Sequence, residues 1–228
     1  MLQAILKKNQ PDFHKVVPFY PKNDKLLLLD FTAANTDLTD DILNDTEAFS
    51  DYINIKLKTS NCKYGIGGYN EHRTVYSRSN VFNTADEPRR LHLGVDIWGE
   101  AETSVFAALD GVVHSFAFND NYGDYGATII LEHQLDGFIF HALYGHLSLK
   151  DLDGLYIGKR IAKGDIVAHF GTLKENGNWP PHLHFQVIID MENNVGDYPG
   201  VCKLSEGEIY LANCPDADLI LQMLQYAV

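Results

Sequence analysis

With 228 residues, 45% of them hydrophobic and 21% charged, the chain has the composition of a globular protein able to bury a core. A formal net charge of −13, from 31 acidic and 18 basic residues, argues against a role held by phosphate contacts, which excludes nucleic acid and anionic membrane as expected partners. The longest purely aliphatic run, Leu26 to Leu29, falls far short of the roughly 18 residues a membrane span needs.

The first residues, MLQAILKKNQPDF, lack the basic start, apolar stretch and small-residue cleavage site of a secretory leader, so a cytoplasmic location is expected. Cys62, Cys202 and Cys214 fit a reducing compartment. Cys202 and Cys214 belong to no Cys-x-x-Cys unit and are expected as buried free thiols.

No repeat, low-complexity tract or linker divides the chain. Lys25 to Phe31 reads as a short buried strand. NDTEAFSDYINIKLKTS then offers Asp45 or Thr46 as the N-cap of a helix whose apolar stripe is Phe49, Tyr52, Ile53 and Leu57. YGIGGYNEHR reads as a glycine-rich loop, but Gly65, Gly67 and Gly68 lack the spacing and the lysine of a phosphate-binding loop. From about Leu91 the pattern turns to strands broken by Gly, Asp and Asn, with Asp110-Gly111 and Asp136-Gly137 as turn candidates. CPDADLILQMLQ near the end predicts a short helix with Pro215 in its first turn. The expected fold class is therefore α+β: a mostly antiparallel β core, a mixed N-terminal segment and a short C-terminal helix.

Three segments hold groups that can carry chemistry. In HLGVD, a straight strand would part His92 from Asp96 by about 13 Å, so a shared ion requires a bend, and Gly94 is where the chain turns most easily. In NWPPHLHFQVII, strand alternation puts His182, His184, Gln186 and Ile188 on one face and Leu183, Phe185, Val187 and Ile189 on the other. Both rings can serve one ion, or one can be a ligand and the other its neighbour; spacing does not choose. In LYGHLS, alternation predicts Tyr144 and His146 on one face, with Leu143 and Leu147 opposite. Zinc accounts for the group: two imidazoles and a carboxylate leave an open position and a net positive ion, which acidifies water and polarises a carbonyl.

HLGVD, then LYGHLS, then PHLHFQV, in that order within about a hundred residues, resembles the lysostaphin-like zinc metallopeptidases, the family of LytM and the β-lytic endopeptidases, with its H-x-x-x-D, H-L and H-x-H pattern. ALDGVVHSF, YGATIILEH and GKRIAKGDIVAHFGT resemble that family's barrel strands. The resemblance implies a sandwiched barrel of the lysostaphin-like type, with one zinc per chain held by His92, Asp96 and His184. It also implies that His146 and His182 flank the zinc water and act on the proton or the developing oxyanion. The implied function is a zinc-dependent metalloendopeptidase whose substrate is a peptidoglycan-type or other short peptide. The chain is then expected to divide into an N-terminal segment (1–87) packing on the core, a peptidase-like β domain (88–190) and a C-terminal extension (191–228).

In place of the family's usual Ser/Thr-Gly context the chain has NGNWPPHLHF, so Trp179 and Pro180 are expected to change one wall of the groove. Asn70, Glu71, His72 and Arg73 lie on a glycine-hinged loop that reads first as an ordinary polar surface loop; the alternative is that it borders the cleft and limits which peptides enter, and the resemblance adds that Asn70, Glu71 or His72 could fill the open zinc position, as in latent members of that family. His133 and His141 are candidate hydrogen-bond partners of the ligands, and Tyr122 and Tyr144 candidate substrate contacts. The rival reading from another class is a zinc-binding, non-catalytic domain that docks a peptide or protein. A biotinyl- or lipoyl-type carrier is disfavoured, since no lysine sits in an Ala/Val-Met-Lys or Asp-Lys-Ala context.

Overall fold

The computed structural model describes residues 1–84 and 86–228. Helix α1 (Leu2–Asn9) opens the chain and seats Leu2 and Leu6 in the main core. Strand β1 (Leu26–Leu28) follows, then helices α2 (Asp40–Asn44) and α3 (Thr46–Thr59). Asp45 caps α3, its Oδ1 accepting from the backbone N–H of Glu47 (2.9 Å) and Ala48 (3.0 Å). Phe49, Ile53 and Leu57 form the buried stripe of α3, with Tyr52 half-buried beside it. Strand β2 (Tyr64–Gly67) comes next, so the first half of the expected glycine loop is strand instead. It runs parallel to β1, and a Cβ on Gly65 would lie 2.3 Å from Leu29 Cδ1. Here glycine answers to space.

Two 3-10 turns, Val75–Arg78 and Asn80–Phe82, lead to β3 (Leu91–His92) and β4 (Val95–Trp98). Then come β5 (Ser104–Phe106), β6 (Gly111–Asn119), β7 (Gly126–Leu135), β8 (Phe138–Leu147), β9 (Arg160–Ile161), β10 (Ile166–His169) and β11 (His182–Ile188). Strand β12 (Val201–Cys202) and helices α4 (Gly207–Asn213) and α5 (Asp218–Leu221) complete the chain. The C-terminal helix starts later than Pro215 suggests, because Asp216 Oδ1 accepts from the N–H of Asp218 (2.9 Å). It stops at once, as Asp218 Oδ1 takes the N–H groups of Met223 (2.8 Å) and Leu224 (3.1 Å).

Eight strands form one sheet in the order β1-β2-β4-β11-β8-β7-β6-β9, antiparallel except for β1–β2. β5 pairs with β10 and β3 with β12 in separate ribbons. The fold is α+β and dominated by this sheet, but the expected barrel is not closed. At one end β9 stops after two residues, and β10 pairs with β5 rather than extending the ladder. At the other end β2 and β1 extend the sheet beyond β4, and the N–H of Leu28 and Val228 exchange bonds with Val228 O and Leu26 O. Short, covered ends of this kind remove the need to close a sheet on itself.

One face of the sheet carries Val95, Ile97, Leu183, Phe185 and Val187 into the main core, with α1 and α5 packed over it. On the other side, α3 packs Phe49 within 6.0 Å of Trp98 and 6.4 Å of Trp179, ring centre to ring centre. Burying each such aromatic side chain is worth about 1.5–3 kcal/mol. The site lies on this second side. Among the described residues no helix is long and apolar enough to cross a membrane.

Candidate metal centre

Four residues line up across the sheet: Gly67 on β2 is opposite Asp96 on β4, Asp96 opposite His184 on β11, and His184 opposite Gly145 on β8. Directly opposed side chains share a face, so Asp96 and His184 are neighbours by register alone. His92 arrives from β3 through the bend at Leu93-Gly94. A Cβ on Gly94 would sit 2.7 Å from the His184 ring and 2.8 Å from Phe185 O. Only glycine lets the chain pass that ring.

The three donor atoms form a triangle. His92 Nε2 is 3.0 Å from His184 Nδ1, His184 Nδ1 is 3.0 Å from Asp96 Oδ1, and Asp96 Oδ1 is 3.3 Å from His92 Nε2. Ligand–ligand edges in a tetrahedral zinc site are about 3.3 Å, given metal–ligand distances of about 2.0–2.1 Å. The far ring atoms fix the tautomers. His92 donates Nδ1–H to Gly68 O (3.0 Å), which leaves Nε2 a lone pair. Gln186 spends its amide N–H groups on Pro199 O (3.1 Å) and Cys214 Sγ (3.3 Å), so its Oε1 receives the His184 Nε2–H (2.8 Å) and leaves Nδ1 bare. Two lone pairs facing each other at 3.0 Å, beside a carboxylate oxygen, suit a cation. The residues present fit zinc.

Charge in this pocket is set by burial. Desolvation pushes the His92 pKa down to about 4, with Arg73 adding to the effect. Burial alone would raise the Asp96 carboxyl, yet the Arg73 guanidinium bonded to it holds it well below the usual carboxylate range. Neutral imidazoles and an ionised carboxylate are the states a metal requires.

Arg73, on the loop that the sequence allowed beside the cleft, makes a pairing that no sequence pattern revealed. It is 1% exposed and donates Nη1–H to Asp96 Oδ2 (2.5 Å) and Nε–H to Glu71 Oε2 (2.5 Å). The loop of residues 70–73 does reach the site, as the alternative to a plain surface loop had it, but it supplies no ligand: among the described residues only His92, Asp96 and His184 form a ligand group. The reason lies in the backbone: the N–H of Asn70 bonds His92 O (3.0 Å) and the N–H of His92 bonds Glu71 O (2.9 Å), so the loop runs alongside β3 and Glu71 turns to Arg73.

His182 and His146 stand beside the triangle. His182 stacks on Trp98, with ring centres 3.8 Å apart and planes at 14°, and donates Nδ1–H to Pro180 O (2.8 Å). His146 donates Nδ1–H to Asn176 O (2.9 Å). Both rings therefore keep Nε2 as an acceptor. Burial lowers the His182 pKa to about 4; burial and then the nearby His182 ring hold His146 well below the ordinary histidine range.

The expected partnership of Tyr144 with His146 is corrected. β7 pairs Ile129 with Tyr144 and Ala127 with Leu147, so Gly145 and His146 together face Thr128 in a β-bulge. The extra residue, with His146 at φ +61°, sends Tyr144 and Leu147 into the main core and His146 to the site. Tyr144 is thus no substrate contact; Tyr122 stays exposed, its hydroxyl accepting from Arg78 Nη2 (2.6 Å). Tyr125 stands against a ligand instead, its hydroxyl 3.4 Å from His184 Nε2, and no local pattern marks it. His133 and His141 do not support the ligands either. His133 bonds Asp110 O (2.9 Å), and His141 faces Glu132 (3.7 Å) and His114.

A cleft of about 140 Å³ opens over these groups, walled by Arg73, Tyr76, Tyr125, His146 and Trp179. Trp179 does form one wall, as its place before the His-x-His motif suggests.

Residues 90–195 match the family model described as Peptidase family M23. No curated protein matches the chain. Among solved structures it is similar to Csd3 of Helicobacter pylori (24% identity, 64% of this chain and 36% of that one, TM-score 0.36). It is also similar to a zinc-containing peptidase from Vibrio cholerae (24% identity, 53% of this chain and 31% of that one, TM-score 0.37). A third is the catalytic domain of lysostaphin, an antimicrobial peptidase from Staphylococcus simulans (19% identity, 72% of this chain and 98% of that one, TM-score 0.38). The chain spans about a third of the length of the first two. Superpositions at this level carry no residue-by-residue correspondence. The family match covers all three histidine motifs, so over residues 90–195 the chain is similar to peptidase family M23.

Proposed function

We propose that the protein is a zinc-dependent metalloendopeptidase, a hydrolase that cuts an amide bond in a short peptide, of which peptidoglycan-type peptides are the leading class. The observation that carries this is the donor triangle of His92 Nε2, Asp96 Oδ1 and His184 Nδ1, beside two further imidazoles with free Nε2 atoms. One zinc ion per chain would be held by those three atoms. When bound, zinc supplies the Lewis acidity that polarises an amide carbonyl and makes water a nucleophile near neutral pH.

The chain's own groups would do the rest. The Nδ1–H bonds to Asn176 O and Pro180 O fix the orientation of His146 and His182. Each Nε2 can then receive a proton from the attacking water or, once protonated, donate to the oxyanion and the leaving amine. Stacking on Trp98 limits His182 to its plane. The cleft's aromatic wall, with Tyr76, Phe82 and Trp179, supports an extended peptide.

A non-catalytic zinc-binding domain would need neither His146 nor His182 in these tautomers, which favours the enzyme. The test pairs zinc content by elemental mass spectrometry with hydrolysis of glycine-rich and D-amino-acid stem peptides, for wild type and His184→Ala. One zinc per wild-type chain, lost with activity in the variant, supports the reading. A folded wild type that takes up no added zinc overturns it.

A further inference from the structure

We propose that Arg73 is a positioning residue that holds Asp96 as a one-oxygen ligand, and that Glu71 offsets the charge Arg73 brings. The inference rests on the metal reading of His92, Asp96 and His184.

A carboxylate has two equivalent oxygens, and a divalent ion can take one or both. Here they are committed to different tasks. Oδ1 faces the two imidazole lone pairs at 3.0 and 3.3 Å, while Oδ2 receives Arg73 Nη1–H at 2.5 Å. Rotating the carboxylate to present both oxygens to the ion would break a charge-assisted bond in a buried site, where such bonds are strong.

The surroundings are built for this guanidinium. A Cβ on Gly67 would lie 2.6 Å from Arg73 Nη2, so glycine on β2 leaves the space it fills. Tyr76 Oη lies 3.3 Å from Nη1, and the Phe31 ring centre 5.2 Å from Cζ. Lysine would bring the charge without the fork that bridges two carboxylates.

A cation this close to a ligand would repel a metal ion unless balanced. Glu71, bonded to Nε at 2.5 Å, is that balance: Glu71 and Arg73 together are neutral, so the ion meets the net charge of two imidazoles and one carboxylate. Arg73 then gives geometry and Glu71 cancels its electrostatic cost. These two effects can be measured separately.

The experiment uses the full chain, freed of metal and titrated with Zn²⁺ against a competing chelator, then with Co²⁺ read by its visible absorption. Wild type, Arg73→Gln, Arg73→Lys and Glu71→Gln are compared, with folding checked by far-UV circular dichroism. Expected for Arg73→Gln is a 10- to 100-fold weaker zinc affinity, roughly the scale for ligand-supporting partners. Its cobalt bands should also fall in intensity, because Asp96 Oδ2 becomes free to bind and the coordination number rises. Glu71→Gln should weaken zinc through the unbalanced charge while keeping the wild-type cobalt spectrum, because Arg73 still pins Oδ2. Arg73→Lys should not restore the wild-type spectrum.

Unchanged affinity and spectrum in a folded Arg73→Gln variant would overturn the proposal. If that variant does not fold, unchanged zinc affinity in Glu71→Gln overturns it instead. A wild type that binds neither Zn²⁺ nor Co²⁺ overturns the metal reading itself; a wild type that binds while the variants match it overturns only the role of Arg73 and Glu71.

Discussion

His146 and His182 lie nearly face to face, ring centres 4.0 Å apart and planes at 31°, although one stands on a bulge at the end of β8 and the other at the start of β11. Each turns Nδ1 to a backbone carbonyl and so presents the same face chemistry. His146→Ala and His182→Ala should each retain zinc and lose activity by about 10²- to 10⁴-fold, the usual weight of a general acid or base. Steady-state kinetics on protein of verified zinc content checks this. Variants that lose zinc as well would assign these rings to the metal instead.

Gly94→Ala should damage the metal site without touching a ligand. The added methyl group meets the His184 ring at 2.7 Å and the fixed Phe185 carbonyl at 2.8 Å, so the bend and the ring cannot both stay. Zinc titration should show at least a tenfold loss of affinity in a protein whose circular dichroism is unchanged, on the scale of losing a ligand-supporting contact. Wild-type affinity would mean that the bend tolerates a side chain.

Metal should also stabilise the fold, because the donors converge only in the folded chain. At a thousandfold excess of zinc over its dissociation constant the gain is about 4 kcal/mol, seen as a rise in Tm that a chelator reverses. His184→Ala should show no such rise. Thermal melts with and without zinc make the comparison.

Phe49→Ala should cost about 3–5 kcal/mol, since this fully buried ring joins Phe31, Trp98 and Trp179 in one cluster. Urea unfolding gives the number. Because Trp98 is also the stacking partner of His182, catalysis should fall along with stability.

Burial lowers the His133 pKa from 6.5 to about 4. The unfolded chain therefore binds a proton at this residue before the folded chain does. This contribution is complete above pH 6.5 and is lost as pH falls toward about 4, reaching up to about 3 kcal/mol. His133→Gln should lose less stability than wild type between pH 7 and pH 4.5, as read by urea midpoints at both pH values. Parallel pH curves for the two proteins would refute the assignment.

Local periodicity made much of the site legible. His182 and His184 share a face because a strand alternates, and Gln186 follows from the same rule. The bend between His92 and Asp96 follows from Gly94, and the start of α3 from Asp45. What stayed hidden depends on contacts distant in sequence. The bulge at Gly145-His146 exists only against Thr128 of a neighbouring strand, so counting residues put Tyr144 on the wrong face. Arg73 joins a carboxylate 23 residues away, and nothing near it in the chain announces the pairing. The open sheet was equally hidden, because its far strands β1 and β2 have no place in the resemblance that suggested a barrel.

The place of β2 beside β4 has a consequence for proteolysis. A cut in the exposed stretch around Asn83-Thr84 that released the preceding residues would strip Gly65, Ile66 and Gly67 from their partners Trp98, Ile97 and Asp96. The strand carrying Asp96 would become a bare, apolar rim with unpaired backbone groups, the kind of surface on which copies of a chain zip together. Clipping there would produce clumping protein rather than a trimmed, dispersed chain.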